Sequence, residues 1–186
     1  PAVTLWDAIG DLAEAGDSYT GAPRTDFQRW ARREGLTTPP NHEPMRHTER
    51  IVERFRSIGF GQDESDVAEQ HAPRRRGDSA SVSDRRYGQN SRRQRPDRPC
   101  STVVASSHTN FIHPYFHRNF TVRELARAQS FRDSFVFRGK RAVLSRSLSE
   151  KKGLVDDLHL DQRAQVGNAV PPLLSAAIGQ SIMALD

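Results

Sequence analysis

Apolar residues recur at helical spacing in four well-separated stretches of the chain. In "TLWDAIGDLAEA", Leu5, Ala8, Ile9 and Leu12 share one face, and Thr4 followed by Asp7 has the form of a capping box. Gly10 weakens the helix predicted there. In "RHTERIVERFRSIGFG", Ile51, Val52, Phe55 and Ile58 make one core-facing stripe, with Gly59 as the stop. "FTVRELARAQSF" reads as a third helix, opened by a second capping box from Thr121 to Glu124, with Leu125 and Ala128 on the inner face. Finally, "GNAVPPLLSAAIGQSIMAL" sets Leu173, Leu174, Ala177, Ile178, Ile182 and Leu185 along one face of a closing helix. Pro171 and Pro172 are tolerated only in a first turn, so this helix is expected to begin close to Asn168. Its free amides would then lie beside Gly167 and Asn168, where an anion or carboxylate could sit.

The stretches between are of three kinds. Residues 16–44 are rich in Pro, Gly, Thr and Asp, with one short helix expected around Phe27 to Arg33. From Phe60 to Asp97 the chain is almost devoid of aliphatic residues, Val67 and Val82 excepted, and a long loop that buries little of itself is expected. After it, "STVVA" and "NFIH" read as short strands of a small sheet. "RDSFVFRGKR" adds the aromatic anchors Phe135 and Phe137. The 186 residues are enough for one domain with its own core and too few for two large ones, so an α+β fold with a single domain is expected.

Charge adds a partner to this picture. The formal net charge is +5, but between Arg74 and Arg98 nine Arg face three Asp, so that stretch alone carries +6 and the remainder −1. None of the three lysines lies in it. Guanidinium groups hold phosphates through paired donors, and the interleaved Tyr87, Gln89 and Asn90 add stacking and base-edge hydrogen bonding. Two readings stand on charge alone: a solvated, flexible loop, or a nucleic-acid contact surface made by Arg85, Arg86, Asn90, Arg92, Arg93 and Arg95.

Other chemistry is sparse. The single cysteine, Cys100, excludes an internal disulfide and a Cys-rich zinc site, and its Pro-Cys context raises the question of a nucleophile. His108, His113 and His117 are close in sequence but have no clustered carboxylate or thiol, so no metal is expected. No run approaches the roughly 20 apolar residues of a membrane span, and "PAVTLWDAIG" lacks the layout of a signal peptide, so a cytoplasmic chain without membrane contact is expected. It begins at Pro1 rather than Met, which suggests a piece of a longer polypeptide.

Several of these stretches together carry a resemblance. "NFTVRELARAQSFRDSF", followed about thirty residues later by "QVGNAVPPLLSAAI", resembles the last two conserved blocks of the cytosine-5 DNA methyltransferases. "RRQRPDRPCSTVVA" resembles the end of that family's target-recognition region, and "VTLWDAIGDL" the segment leading into it. Val103, Val122 and Arg132 depart from the family, which more often has Leu, Pro and Pro there.

The resemblance implies a small, irregular DNA-recognition lobe over residues 1–186, with a basic loop at 60–97 and the last conserved block and closing helix at 165–186. The helix would pack on a doubly wound catalytic lobe absent from this sequence. That lobe would hold the nucleophile and most of the S-adenosylmethionine site, on the same protein or on a partner subunit, so no catalytic residue is assigned here. Asn168, Ala169 and Val170 match the block lining the methyl-donor pocket, Gly167 and Asn168 being otherwise a simple cap. Thr102 matches a Thr beside the flipped nucleotide, its alternative being an ordinary strand residue. Arg123 and Glu124 match an Arg-Glu pair read as structural. Such a protein would methylate carbon 5 of a flipped cytosine in a specific sequence of double-stranded DNA, in restriction-modification. A non-catalytic DNA-binding module, a subunit of a split enzyme and an Arg-rich RNA-binding segment are the alternatives.

Overall fold

The computed structural model describes residues 2–14, 16, 18–32, 35–75, 78–83, 90–105, 111–141 and 160–185. Among them, helices dominate: α1 (Leu5–Ile9), α2 (Asp26–Ala31), α3 (Glu49–Ser57), α4 (Val122–Ala128), α5 (Gln162–Asn168) and α6 (Pro172–Met183). Four strands, β1 (Arg74–Arg75), β2 (Asp78–Val82), β3 (Arg92–Arg93) and β4 (Phe111–Ile112), form two separate two-stranded sheets. β1 and β2 pair antiparallel, and β3 and β4 pair parallel.

Both expected capping boxes are present. Thr4 Oγ1 accepts the Asp7 amide while Asp7 takes the Thr4 amide, and Thr121 and Glu124 exchange the same pair of bonds at the start of α4. α1 ends at Ile9, so Leu12 joins the core from a bridge with Tyr19 and not from the helix. Gly10 is the C-cap, its amide on the Trp6 carbonyl, and the turn there admits no side chain: a Cβ would lie 2.7 Å from that carbonyl oxygen.

Two apolar clusters meet at β4. One gathers Leu5 and Ile9 of α1, Leu125 of α4, Val166 of α5, Phe120 and Phe111. The second packs Phe55 and Ile58 against Val67, Ala72 and Ile112. Successive strand residues point to opposite faces, so Phe111 and Ile112 tie the two clusters together.

α4 lies so deep that its charged residues are buried as well. Arg127 donates to Asp133 Oδ1 and Oδ2 at 2.7 and 2.6 Å, to Asp11 at 3.0 Å and to the Ala8 carbonyl at 2.7 Å, joining α4 to α1. Burial opposes its charge, but the two carboxylates outweigh it and raise its pKa.

Three expectations are corrected here. The segment from Phe60 to Asp97 is not one unstructured loop: it contains a 3-10 turn at Glu69–His71 and strands β1, β2 and β3. Scarcity of aliphatic residues limits apolar burial, whereas this segment is anchored by polar burial, with Asp63, Glu64, Ser91, Arg93 and Gln94 all under 9 % exposed. Second, residues 101–104 of "STVVA" are not in a strand; the ladder partner of β4 is β3. Third, α6 begins at Pro172, with Asn168 ending the preceding helix α5 and Ala169 as its C-cap. The Val-Pro-Pro sequence breaks the helix instead of starting it at Asn168, because proline disfavours helical backbone in the residue before it.

Candidate nucleic-acid interface

The basic residues of the expected contact surface separate into distinct environments. Arg85 and Arg86 lie outside the described residues. Asn90 donates from Nδ2 to Glu64 Oε1 at 3.2 Å. Arg92 is half-buried, with Nε on the Gly61 carbonyl at 3.3 Å. Arg95 is exposed and makes a forked contact with Asp97, from Nε at 3.2 Å and Nη2 at 3.1 Å.

Arg93 differs from all of these. It is 4 % exposed, and its guanidinium donates to the carbonyls of Ile58 at 2.6 Å, His113 at 2.7 Å and Pro114 at 3.1 Å, as well as to that of Phe55. The expectation that Arg93 touches nucleic acid is therefore corrected: its donors are spent on the chain. Sequence offered no way to separate it from Arg92, since strand alternation sends one of the pair inward and the other outward.

A cleft of about 230 Å³ opens among Gly61, Arg92, Gln94, Arg95, Arg98 and Ser101. Gln94 and Arg98 are not singled out by the sequence, where they read as two more polar residues of a basic run. Gln94 is 4 % exposed and accepts the Ser101 amide on Oε1 at 3.1 Å. Thr102 follows directly and is exposed. Cys100 is partly buried against the core, and burial pushes its thiol up to about 12, so it stays protonated at neutral pH.

The second candidate region lies at the break between α5 and α6. Asn168 and Val170 are exposed and Ala169 half-buried. Gly167 brings this break against the segment carrying Thr102: a Cβ on it would fall 2.4 Å from the carbonyl carbon and oxygen of Val104. Asn168 sits at the carbonyl end of α5, so the anion-binding rationale from free helix amides does not hold for it.

Arg123 and Glu124 are fully buried in the frame beneath. Arg123 donates to the carbonyls of Pro40 at 2.8 Å, Arg132 at 2.9 Å and Phe135 at 2.6 Å. Glu124 accepts from Arg118 at 2.7 and 2.9 Å and from the Thr121 amide at 2.7 Å. Burial would raise the Glu124 carboxyl, but Arg118 prevails and holds it at about 2. His113 Nδ1 accepts the amides of Tyr115 and Phe116, and burial lowers its pKa to about 4. His108 lies outside the described residues, among which no group of three His, Cys, Asp or Glu is placed to hold a metal.

Above this frame, α6 carries no buried residue: Leu174 and Ile178 are each 50 % exposed and Ile182 60 %. Phe137 is buried as an aromatic anchor, whereas Phe135 is half exposed. No helix among the described residues is long and apolar enough to cross a membrane.

Comparisons with known proteins agree on one family. The chain is 47 % identical over 186 residues to the type II methyltransferase M.DdeI of Desulfomicrobium norvegicum, covering 96 % of this chain and 42 % of that protein. It is 33 % identical over 142 residues to the type II methyltransferase M.AquIB of Picosynechococcus, covering 76 % of this chain and 86 % of that protein. In fold, it resembles a solved structure titled as a DNA modification methyltransferase encoded within a prophage (E. coli), with a TM-score of 0.59 and 20 % identity over 94 % of this chain and 44 % of that one. Residues 20–184 match the C-5 cytosine-specific DNA methylase family, and to that family this chain belongs.

Proposed function

We propose that this chain is the DNA-recognition part of a DNA (cytosine-5-)-methyltransferase of a restriction-modification system, acting on a cytosine flipped out of a specific duplex sequence. The observation that carries this reading is α6: a helix at the edge of the fold with Leu174, Ile178 and Ile182 uncovered needs an apolar partner. A catalytic lobe is the partner this family has to offer, and the chain spans only 42 % of the M.DdeI methyltransferase.

In this reading the residues described here hold DNA and close one wall of the donor site. Arg92 and Arg95 grip backbone phosphates and Thr102 bonds the phosphate beside the flipped nucleotide, while Arg123 and Glu124 keep the frame rigid. Arg85, Arg86 and Asn90 remain proposed DNA contacts. S-adenosylmethionine, when bound, supplies the methyl group. The residues at the α5–α6 break suit one wall of its site, since Asn168 presents an exposed carboxamide beside the exposed apolar Val170. Cys100, partly buried and protonated, does not suit nucleophilic attack, so that role falls to a cysteine of the catalytic lobe.

A split enzyme is the second reading, favoured by one observation: M.AquIB, itself called a methyltransferase, is covered over 86 % of its length by a chain of this size. The test is methyl transfer from labelled S-adenosylmethionine to duplex DNA, followed by mapping of the modified cytosines. We expect 5-methylcytosine at one fixed sequence with the full-length protein, or with this chain plus its partner subunit, and none with this chain alone. Failure of both complete forms to transfer methyl would overturn the enzymatic reading.

A further inference from the structure

The cleft beside Thr102 is lined by side chains that donate. Gln94 contributes an amide whose orientation is decided by the Ser101 N–H on Oε1, which leaves Nε2 buried with no partner. It is one of two such buried side-chain atoms among the described residues, the other being Arg163 Nη1. Around it stand Arg92, Arg95 and Arg98, the last with its side chain 71 % exposed.

We propose that this cleft is a phosphate site for the DNA backbone, in which the guanidinium groups of Arg95 and Arg98 hold the oxygens of one phosphodiester above the unpaired amide edge of Gln94. The proposal rests on the reading of this chain as a DNA-recognition lobe and adds two residues to it. A phosphodiester is anionic and offers acceptors alone, which is what a cleft of donors carrying guanidinium charge selects; among base edges in the major groove only that of guanine, with O6 and N7, is likewise made of acceptors, and it lacks the charge. Gln94 Oε1 is engaged by the Ser101 amide, which sets which edge of the Gln94 carboxamide is left unpaired. Arg93, which also borders the cleft, is committed to carbonyls and fixes β3, which carries Arg92 and leads directly into Gln94. At the rim, Asp97 takes the fork of Arg95 and lies 3.9 Å from Arg98. A phosphate presents the same paired oxygens, so it can take the place of the Asp97 carboxylate on Arg95 when that exposed side chain swings out to solvent.

The test is binding of the full-length protein to three duplexes of unrelated sequence across a salt titration, read by fluorescence anisotropy. The variants are Arg98→Ala and Gln94→Glu, with Arg29→Ala on α2 as the charge-matched control. Gln94→Glu keeps the bond to the Ser101 amide and puts a carboxylate oxygen where the donor was. We expect each cleft variant to weaken binding by about tenfold at low salt, equally on all three duplexes, and Arg98→Ala to make the salt slope shallower by about one. The control should behave as the parent. Unchanged affinity and slope in both cleft variants, with the parent binding normally, would overturn the phosphate site and leave the recognition-lobe reading intact. A loss confined to one sequence would overturn it in favour of a base contact. A parent protein that binds none of the duplexes would remove the recognition-lobe reading, and the site with it.

Discussion

Gly167 and Val104 are in backbone contact so close that no other residue fits at position 167: an added Cβ would lie 2.4 Å from the Val104 carbonyl. This contact couples the α5–α6 break to the segment bearing Thr102. Gly167→Ala gains up to about 1 kcal/mol of helix propensity, but the clash is with backbone and cannot be relieved by a rotamer change. We expect a net destabilisation of about 1–3 kcal/mol, seen as a lower midpoint in chemical denaturation.

Asn168, exposed one residue further on, should have little effect on folding. In the full-length protein, Asn168→Ala is expected to raise the S-adenosylmethionine concentration needed for half-maximal methylation, with DNA affinity unchanged. Unaltered donor affinity would count against its place in the donor site.

Arg93 should behave as a core residue. Arg93→Ala leaves the carbonyls of Ile58, His113 and Pro114 without their donor, at about 1–3 kcal/mol for each that water cannot reach. A loss of at least about 3 kcal/mol in urea unfolding is expected, with Arg93→Lys recovering only part of it because one ammonium cannot reach all three oxygens. A fully stable Arg93→Ala protein would contradict this role.

Acid should weaken the fold in two stages. The pKa of His113 in the fold, about 4, lies below its ordinary 6.5, so the unfolded chain takes up that proton first as pH falls. Its contribution is complete above pH 6.5 and lost on the way to pH 4, on the order of 3 kcal/mol in all. Glu124, held at about 2 against an ordinary 4.5, contributes fully above pH 4.5 and is lost below it. His113→Asn keeps an acceptor for the Tyr115 and Phe116 amides and removes the titration, so it should flatten only the upper stage in melts from pH 7 to pH 4.

Cys100→Ser is expected to leave methylation by the full-length protein nearly intact. The native thiol, raised to about 12, should also react far more slowly with alkylating reagents at pH 8 than the urea-unfolded chain. Complete loss of methylation in a normally folded Cys100→Ser protein would reinstate it as the nucleophile.

Much of the helical frame could be read from local patterns. Thr4 with Asp7 and Thr121 with Glu124 announce helix starts because capping boxes are satisfied within four residues, and the Phe55–Ile58 stripe identifies a core face by its period. The last block and the Arg-rich run were equally legible as family features, since they are contiguous in the chain. By contrast, "STVVA" has strand-like residues but no ladder, because strand pairing depends on a partner that only the fold supplies.

What the sequence determined by itself was therefore the family, the capped helices and the positive sign of the charge from Arg74 to Arg98. Tertiary structure decided which arginine is free to act. Arg92 and Arg93 are neighbours with the same chemistry and both border the cleft, yet Arg92 is only half-buried while the Arg93 guanidinium is enclosed by carbonyls from Phe55, Ile58 and His113. It also decided that Gln94 keeps an unspent donor and that Gly167 presses on Val104. Each of these depends on atoms brought together from distant parts of the chain, and local pattern carries no information about them.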